Sequence, residues 1–262
     1  MKGLWVNFVM LFTNKILGES YEKKIIKSNK KNDPDGLCMM ERIEAHICGI
    51  RVAIKNTEDG IEMLDKTDEG LCKVQKILHK MNELAVQCSS GTYSREQREK
   101  VDAEYQKYKE EINFIGSKTV YNGIPIFDPS KNPNIDNVEN TLKLQIGAEV
   151  KEVVRIKVDP MNILAIGIAD SAVSTQEKSR IAITKILNAI DLISARRVLV
   201  AGTKKKLSEI IEKQSVTLGN LNELKMKFSN NNTSTIKADK SFNFKSTYDE
   251  NVIPLVTGKR AN

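Results

Sequence analysis

No proline interrupts the chain between Pro34 and Pro125, and within that stretch the apolar residues step by four and three. Ile43, Ile47, Ile50, Ile54, Ile61, Leu64, Leu71, Leu78, Met81, Ala85 and Cys88 fall on one seam, with Thr57 and Asp68 as its polar interruptions. Such spacing places one narrow apolar face on a helix of more than forty residues. That face has to be covered by another element of similar length. The pattern predicts a helix from Gly36 to Ser89, with Gly60 and Gly70 as the places where it could break.

Ser90-Gly91-Thr92 ends this helix, and Thr92 or Ser94 is placed to cap the next. Val101, Tyr105, Tyr108, Ile112 and Ile115 then predict a second, shorter helix folding back on the first. Heptad spacing returns from Thr175 to Phe228, with Ile183, Ile186, Ile190, Ile193, Arg197, Val200, Leu207, Ile211, Leu218 and Leu221 on the seam. Between them, residues 119–159 change period. Asn122-Gly123 favours a tight hairpin turn, Leu142, Leu144 and Ile146 alternate with polar residues, and Val153–Val158 alternates again. These segments predict two small hairpins joined by the loop Asp128–Asn140. The expected fold class is mainly α: an elongated antiparallel helical rod, coiled-coil-like, with small β-hairpins at its distal end.

Charge has to be located before it is interpreted. The chain of 262 residues carries a formal charge of +7, which suggests nucleic acid at first sight. Residues 1–32 hold seven lysines and two acids, and residues 229–262 hold five basic and three acidic groups. Residues 33–228 hold 29 of each sign, so the body is neutral and its surface balanced. Arg196-Arg197 and Lys204-Lys205-Lys206 spread around a helix, with Glu209 and Glu212 as local partners. No nucleic acid is expected as a partner. Arg197 sits on the seam itself and requires an acidic or carbonyl partner there.

Other chemistry is sparse. His46 and His79 lie 33 residues apart on one predicted helix and cannot converge on a metal or nucleophile. No Gly-rich phosphate loop or HExxH motif occurs, so no enzymatic activity, cofactor or metal is expected. Cys38, Cys48, Cys72 and Cys88 have no CxxC spacing and read as buried small apolar residues. The apolar run near the N-terminus imitates a secretory signal but is interrupted by Asn7. It is far shorter than the ~20 residues of a membrane span, so no membrane insertion is expected.

Several motifs, in order and in register, resemble the bacterial flagellins. Met81-Asn82-Glu83-Leu84-Ala85-Val86-Gln87 followed by Gly91-Thr92-Tyr93-Ser94 is similar to that family's "ELAVQ…GTYS" segment. Asp33-Pro34-Asp35-Gly36-Leu37, Asn56 through Ile61, Asp68-Glu69-Gly70-Leu71, Thr119 through Gly123 and Leu144-Gln145-Ile146-Gly147-Ala148 resemble further family segments. In the last helix Ala182-Ile183, Ala189-Ile190, Ser194 through Arg197, Leu207 and Ile211 keep family positions, so the resemblance covers about 33–222.

The resemblance implies a structural subunit of the flagellar filament, extracellular, self-assembling into a helical homopolymer for motility. It implies secretion through the flagellar export apparatus with its chaperone, and recognition by a vertebrate Toll-like innate-immune receptor. Carried over position by position, the receptor footprint falls on Lys80, Leu84, Gln87 and Glu104. Lys80 stands where arginine is usual, which keeps the charge but loses bidentate hydrogen bonding. Asn122, Gly123 and Arg197 become structural register residues. The expected organisation is a divergent basic segment 1–32, a flagellin-like helical domain 33–228 with its β insert at about 119–159, and a disordered tail 229–262. No counterpart of the family's C-terminal helix is found in that tail. Two alternatives are a truncated, non-polymerising paralogue serving as a helical binding or adaptor protein, and a hook–filament junction protein.

Overall fold

The computed structural model describes residues 34–132, 135–136 and 140–230. The expectations for the basic segment 1–32 and for the tail from residue 231 onward lie outside the described residues. Three helices carry the fold: α1 (Pro34–Ser89), α2 (Arg95–Lys118) and α3 (Gln176–Asn230). Between α2 and α3 run β1 (Val120–Tyr121), β2 (Ile124–Pro125), a 3-10 turn (Pro129–Lys131), β3 (Ile135–Asp136), β4 (Thr141–Gln145) and β5 (Val153–Lys157). The expected class, mainly α with long antiparallel helices and small β elements, is the one observed.

The described residues pack as two units, 34–52 with 213–230 and 53–212. In the first, Ile43, Ile47 and Ile50 are buried on α1, Gln214 and Leu221 on α3, and Glu44 is ion-paired with Lys225. Cys38 and Cys48 are exposed here, Cys72 is half-buried in the second unit, and only Cys88 is buried, which corrects the reading of all four as core residues. The reason is angular. Cys48 lies one residue, about 100°, beyond Ile47, and Cys38 five residues before Ile43, so both turn off the seam.

In the second unit α1 and α3 run antiparallel. Buried Leu64, Leu71, Leu78, Met81, Ala85 and Cys88 share one core cluster with Ala182, Ile186, Ala189, Ile193, Val200 and Leu207. Ile183 and Ile190 are only partly buried against that cluster, whereas the alanines one residue before each are fully buried. α1 does not break at its glycines. A Cβ on Gly60 would stand 2.5 Å from a Leu144 methyl carbon, and one on Gly70 would stand 2.7 Å from the Phe127 ring. These glycines bring the β elements down onto an unbroken helix, a role that outweighs their weak helix propensity.

α2 starts with a capping box: Ser94 Oγ accepts the Gln97 amide, and the Ser94 amide donates back to the Gln97 side chain. Its buried residues are Tyr105, Lys109, Ile112 and Gly116, whereas the expected Val101, Tyr108 and Ile115 are half-buried. The face is rotated because residues 160–175, between β5 and α3, form an ordered strap along α2. Asp102 Oδ1 accepts the Val173 amide at 2.6 Å, and Tyr105 Oη donates to Ser171 Oγ at 2.7 Å. Lys109 Nζ donates to the Ala169 and Ser171 carbonyls at 2.7 and 3.0 Å, and Asn113 Oδ1 accepts the Ile163 amide at 3.0 Å. Met161, Ile166, Ile168 and Val173 of the strap are buried.

β1 and β2 form a hairpin whose two-residue turn, Asn122 (φ 48°) and Gly123 (φ 78°), has the left-handed backbone of a type I′ turn. β3, β4 and β5 form one antiparallel sheet in that order, with Thr141 opposite Lys157 and Gln145 opposite Val153. The expected second hairpin is thus a three-stranded sheet, because the Asp128–Asn140 connection contributes the 3-10 turn and β3. Two-residue β3 is too short to carry a readable alternation.

Gly116 is the tightest point, since a Cβ there would meet the Met161 carbonyl oxygen at 1.7 Å. Gly116→Ala should therefore destabilise the protein by about 1–3 kcal/mol, the usual cost of overpacking. Gly91→Ala, where a Cβ would meet nothing within 4 Å, should leave it unchanged. Thermal unfolding of the two variants checks the difference.

Candidate interaction surface

The four footprint positions lie on neighbouring helices of the second unit. Lys80, Leu84 and Gln87 recur at helical spacing along α1, with Lys80 and Gln87 exposed and Leu84 half-buried against the core. Glu104 is exposed on α2. Tyr108 ties the two helices together: the Lys80 ammonium stands 5.7 Å from the Tyr108 ring centroid, and Tyr108 Oη donates to Glu104 Oε1 at 3.2 Å. Partial burial and the carboxylates of Glu104, Glu111 and Glu83 push the Tyr108 phenol upward, so it stays a proton donor. At the far end Gln87 Nε2 donates to Tyr93 Oη. Tyr108 was legible only as a helix-face residue, because its linking role depends on how α2 meets α1.

The register residues sit elsewhere in the same unit. Arg197 on α3 grips Asp68 on α1 with two hydrogen bonds, Nε to Oδ1 at 2.7 Å and Nη2 to Oδ2 at 3.2 Å. Its Nη1 donates to Gln75 Oε1 at 2.8 Å, and Gln75 Nε2 donates to Ser194 Oγ at 3.2 Å. The Asp68 carboxylate holds the Arg197 guanidinium above its ordinary range. Side chains a third exposed do not turn such a pair into much stability; about 1 kcal/mol is the scale. A buried isoleucine such as Ile193 is worth about 2–5 kcal/mol against alanine. The seam therefore supplies most of the stability, and the Arg197–Asp68 pair adds a directional contact across it.

Arg196 and Lys204 of α3 also find partners, though not the expected Glu209 and Glu212. Lys204 pairs with Asp65 on α1, and Arg196 Nη1 donates to the Pro160 carbonyl at 3.0 Å. Neighbours on the opposing helix lie closer than neighbours along the same one. Among the described residues no group of three or more His, Cys, Asp or Glu could hold a metal ion. Among them, too, no helix is long and apolar enough to cross a membrane.

α2 contributes an ionisable pair where it meets the strap. Tyr105 is fully buried, and burial above all pushes its phenol up to about 12. Burial also pushes the Lys109 ammonium down, against the favourable charges of Asp102 and Asp170.

Comparison with known proteins agrees with the motifs. Residues 26–132 match the bacterial flagellin N-terminal helical region. The flagellar filament 31.3 kDa core protein of Treponema maltophilum is 27% identical over 175 residues, 65% of this chain and 61% of that protein. A flagellin of Halalkalibacterium halodurans is 27% identical over 183 residues, 69% of this chain and 64% of that protein. Flagellin FlaB1 of Treponema pallidum is 22% identical over 236 residues, 84% of this chain and 81% of that protein. The chain thus spans somewhat under two thirds of the length of the first two of these curated relatives. Two solved structures share the fold. Bacillus cereus flagellin has a TM-score of 0.53 at 22% identity, covering 61% of this chain and 88% of that one. A structure described as a putative flagellar hook-associated protein from Vibrio parahaemolyticus has a TM-score of 0.61 at 12% identity, covering 75% and 98%.

Two predictions follow from the geometry. In a double-mutant cycle of Asp68→Ala and Arg197→Ala, urea unfolding should give a coupling of about 1 kcal/mol. For Tyr105, a folded-state value of about 12 against 10 in the unfolded chain favours folding fully below pH 10, and the benefit disappears as pH rises toward 12. That loss amounts to about 2–3 kcal/mol. Lys109 has the opposite sign, its folded value lying below 10.5, so its contribution rises with pH and adds no loss in that window. Tyr105→Phe should therefore flatten the decline in stability between pH 10 and 12, measured by denaturant unfolding.

Proposed function

We propose that this flagellin-like chain is a structural subunit of the bacterial flagellar filament, assembling with copies of itself into an extracellular helical polymer. One observation carries the reading: the segment matched to the flagellin N-terminal helical region, 26–132, contains the whole of α1 together with α2 and the β1–β2 hairpin. Its relatives are named flagellins or a filament core protein. The role is structural, without catalysis. The chain is secreted by the flagellar export apparatus with a chaperone. The body 33–228 is the assembling domain, and the ends 1–32 and 229–262 are separate segments. Purified chain, salted out or seeded with sheared filaments, should form fibres visible by electron microscopy. A chain that stays monomeric under all these conditions would overturn the reading.

A second reading concerns the α1–α2 surface, and the Lys80–Tyr108–Glu104 contact favours it. We propose that Lys80, Leu84, Gln87 and Glu104 form one footprint for a vertebrate Toll-like receptor. Gln87→Ala and Glu104→Ala should each lower receptor signalling in reporter cells at least tenfold without changing the thermal midpoint. Unchanged signalling in both variants would sink this footprint.

A further inference from the structure

On the side of α2 turned away from the core stands Phe114, 60% exposed. Glu110 and Lys118 lie one turn before it and one turn after it, both exposed. At 100° per residue the three share one outer face, with the two charges about 12 Å apart along the axis. α3 carries a matching arrangement on its own outer face. Leu187, 48% exposed, stands between Arg180 and Asp191, again both exposed. These three fall within about 40° of arc, with the charges about 16 Å apart. Beside Leu187, the ties Gln75–Ser194 and Ser89–Gln176 hold α1 against α3. Between those ties Val86 of α1, 52% exposed, and half-buried Ile183 of α3 widen the apolar patch.

Single exposed apolar side chains are ordinary on a protein surface. Here each is bracketed by charges that enter no ion pair among the described residues, whereas Glu69, Asp170 and Lys204 of the same unit are paired. The order of signs is also reversed between the two faces. From N- to C-terminus α2 reads acid, apolar, base, and α3 reads base, apolar, acid. Laid parallel, α2 of one molecule and α3 of another bring Glu110 to Arg180, Phe114 to Leu187 and Lys118 to Asp191. The spans differ by about 4–5 Å, which the long arginine and lysine side chains close. Laid antiparallel, the same helices would set Glu110 against Asp191 and Lys118 against Arg180, so the charges select one direction. Both faces point away from their own core, so they cannot meet within one molecule.

We propose that the outer face of α2 in one copy docks on the outer face of α3 in the next, through Glu110–Arg180, Phe114–Leu187 and Lys118–Asp191. The proposal rests on the self-assembly reading and names one contact of the polymer. Two different patches make this contact heterologous, so every copy at an end keeps one face free for a further copy.

The test follows seeded fibre growth of the full chain and its critical concentration. Glu110→Arg and Arg180→Glu should each raise that concentration roughly tenfold or more, with thermal midpoints unchanged. The double variant Glu110→Arg/Arg180→Glu should bring it back to within about threefold of the wild type. Leu187→Ser should raise it as well, and the charge swap should not rescue it. Equal growth of all variants, or a double variant no better than the singles, would overturn this contact and leave the self-assembly reading intact. Wild-type chain that forms no fibres would overturn both. Wild-type assembly that stops at a closed dimer dependent on Phe114 would also overturn the contact, since a two-fold dimer joins like faces.

Discussion

Everything in the second unit depends on how closely α1 and α3 approach. Two helices with narrow seams bury enough area only if their axes come close over several turns. Ala182 and Ala189 stand fully buried where larger residues would hold the helices apart, with Ile186 and Ile193 filling the space between them. A seam of similar apolar residues could slip by a heptad at little cost in packing. Such a slip would break the two hydrogen bonds between Arg197 and Asp68. Modest ion pairing and strong apolar burial thus do separate jobs along one interface.

The α1–α3 contact also sets the limits for the smaller elements. The β sheet lies on α1 where Gly60 and Gly70 remove side chains, and Asn56 Nδ2 fastens it by donating to the Gln145 carbonyl at 3.3 Å. Tyr121 Oη donates to Glu62 at 3.2 Å and holds the hairpin to the same helix. α2 is held from both sides, by α1 through Tyr108 and by the strap through Asp102, Tyr105, Lys109 and Asn113.

Much of this was legible in the sequence because period is a local property. Steps of four and three from Ile43 to Cys88 marked α1, and Asn122-Gly123 marked the type I′ turn, each from residues a few positions apart. What depended on distant neighbours was not. Gly60 and Gly70 read as breaks because their partners, Leu144 and Phe127, are far away in sequence. Nothing near Lys109 in the sequence announces the two carbonyls, from residues 169 and 171, that it meets. The strap has neither helical nor strand period, so its order comes from its partners on α2 and α3. At the candidate surface, the family resemblance gave the four positions, but the link through Tyr108 required the packed pair.

The separation of these partners along the chain has a kinetic side. Gln75 meets Ser194 across 119 residues, and Asp65 meets Lys204 across 139. Local helix formation is fast, whereas contacts across such loops wait on chain closure. α1 therefore acquires its shape well before it acquires the partner that covers its seam. During that interval an apolar stripe several turns long faces solvent, open to the nearest complementary helix, whether from its own chain or from a neighbour's.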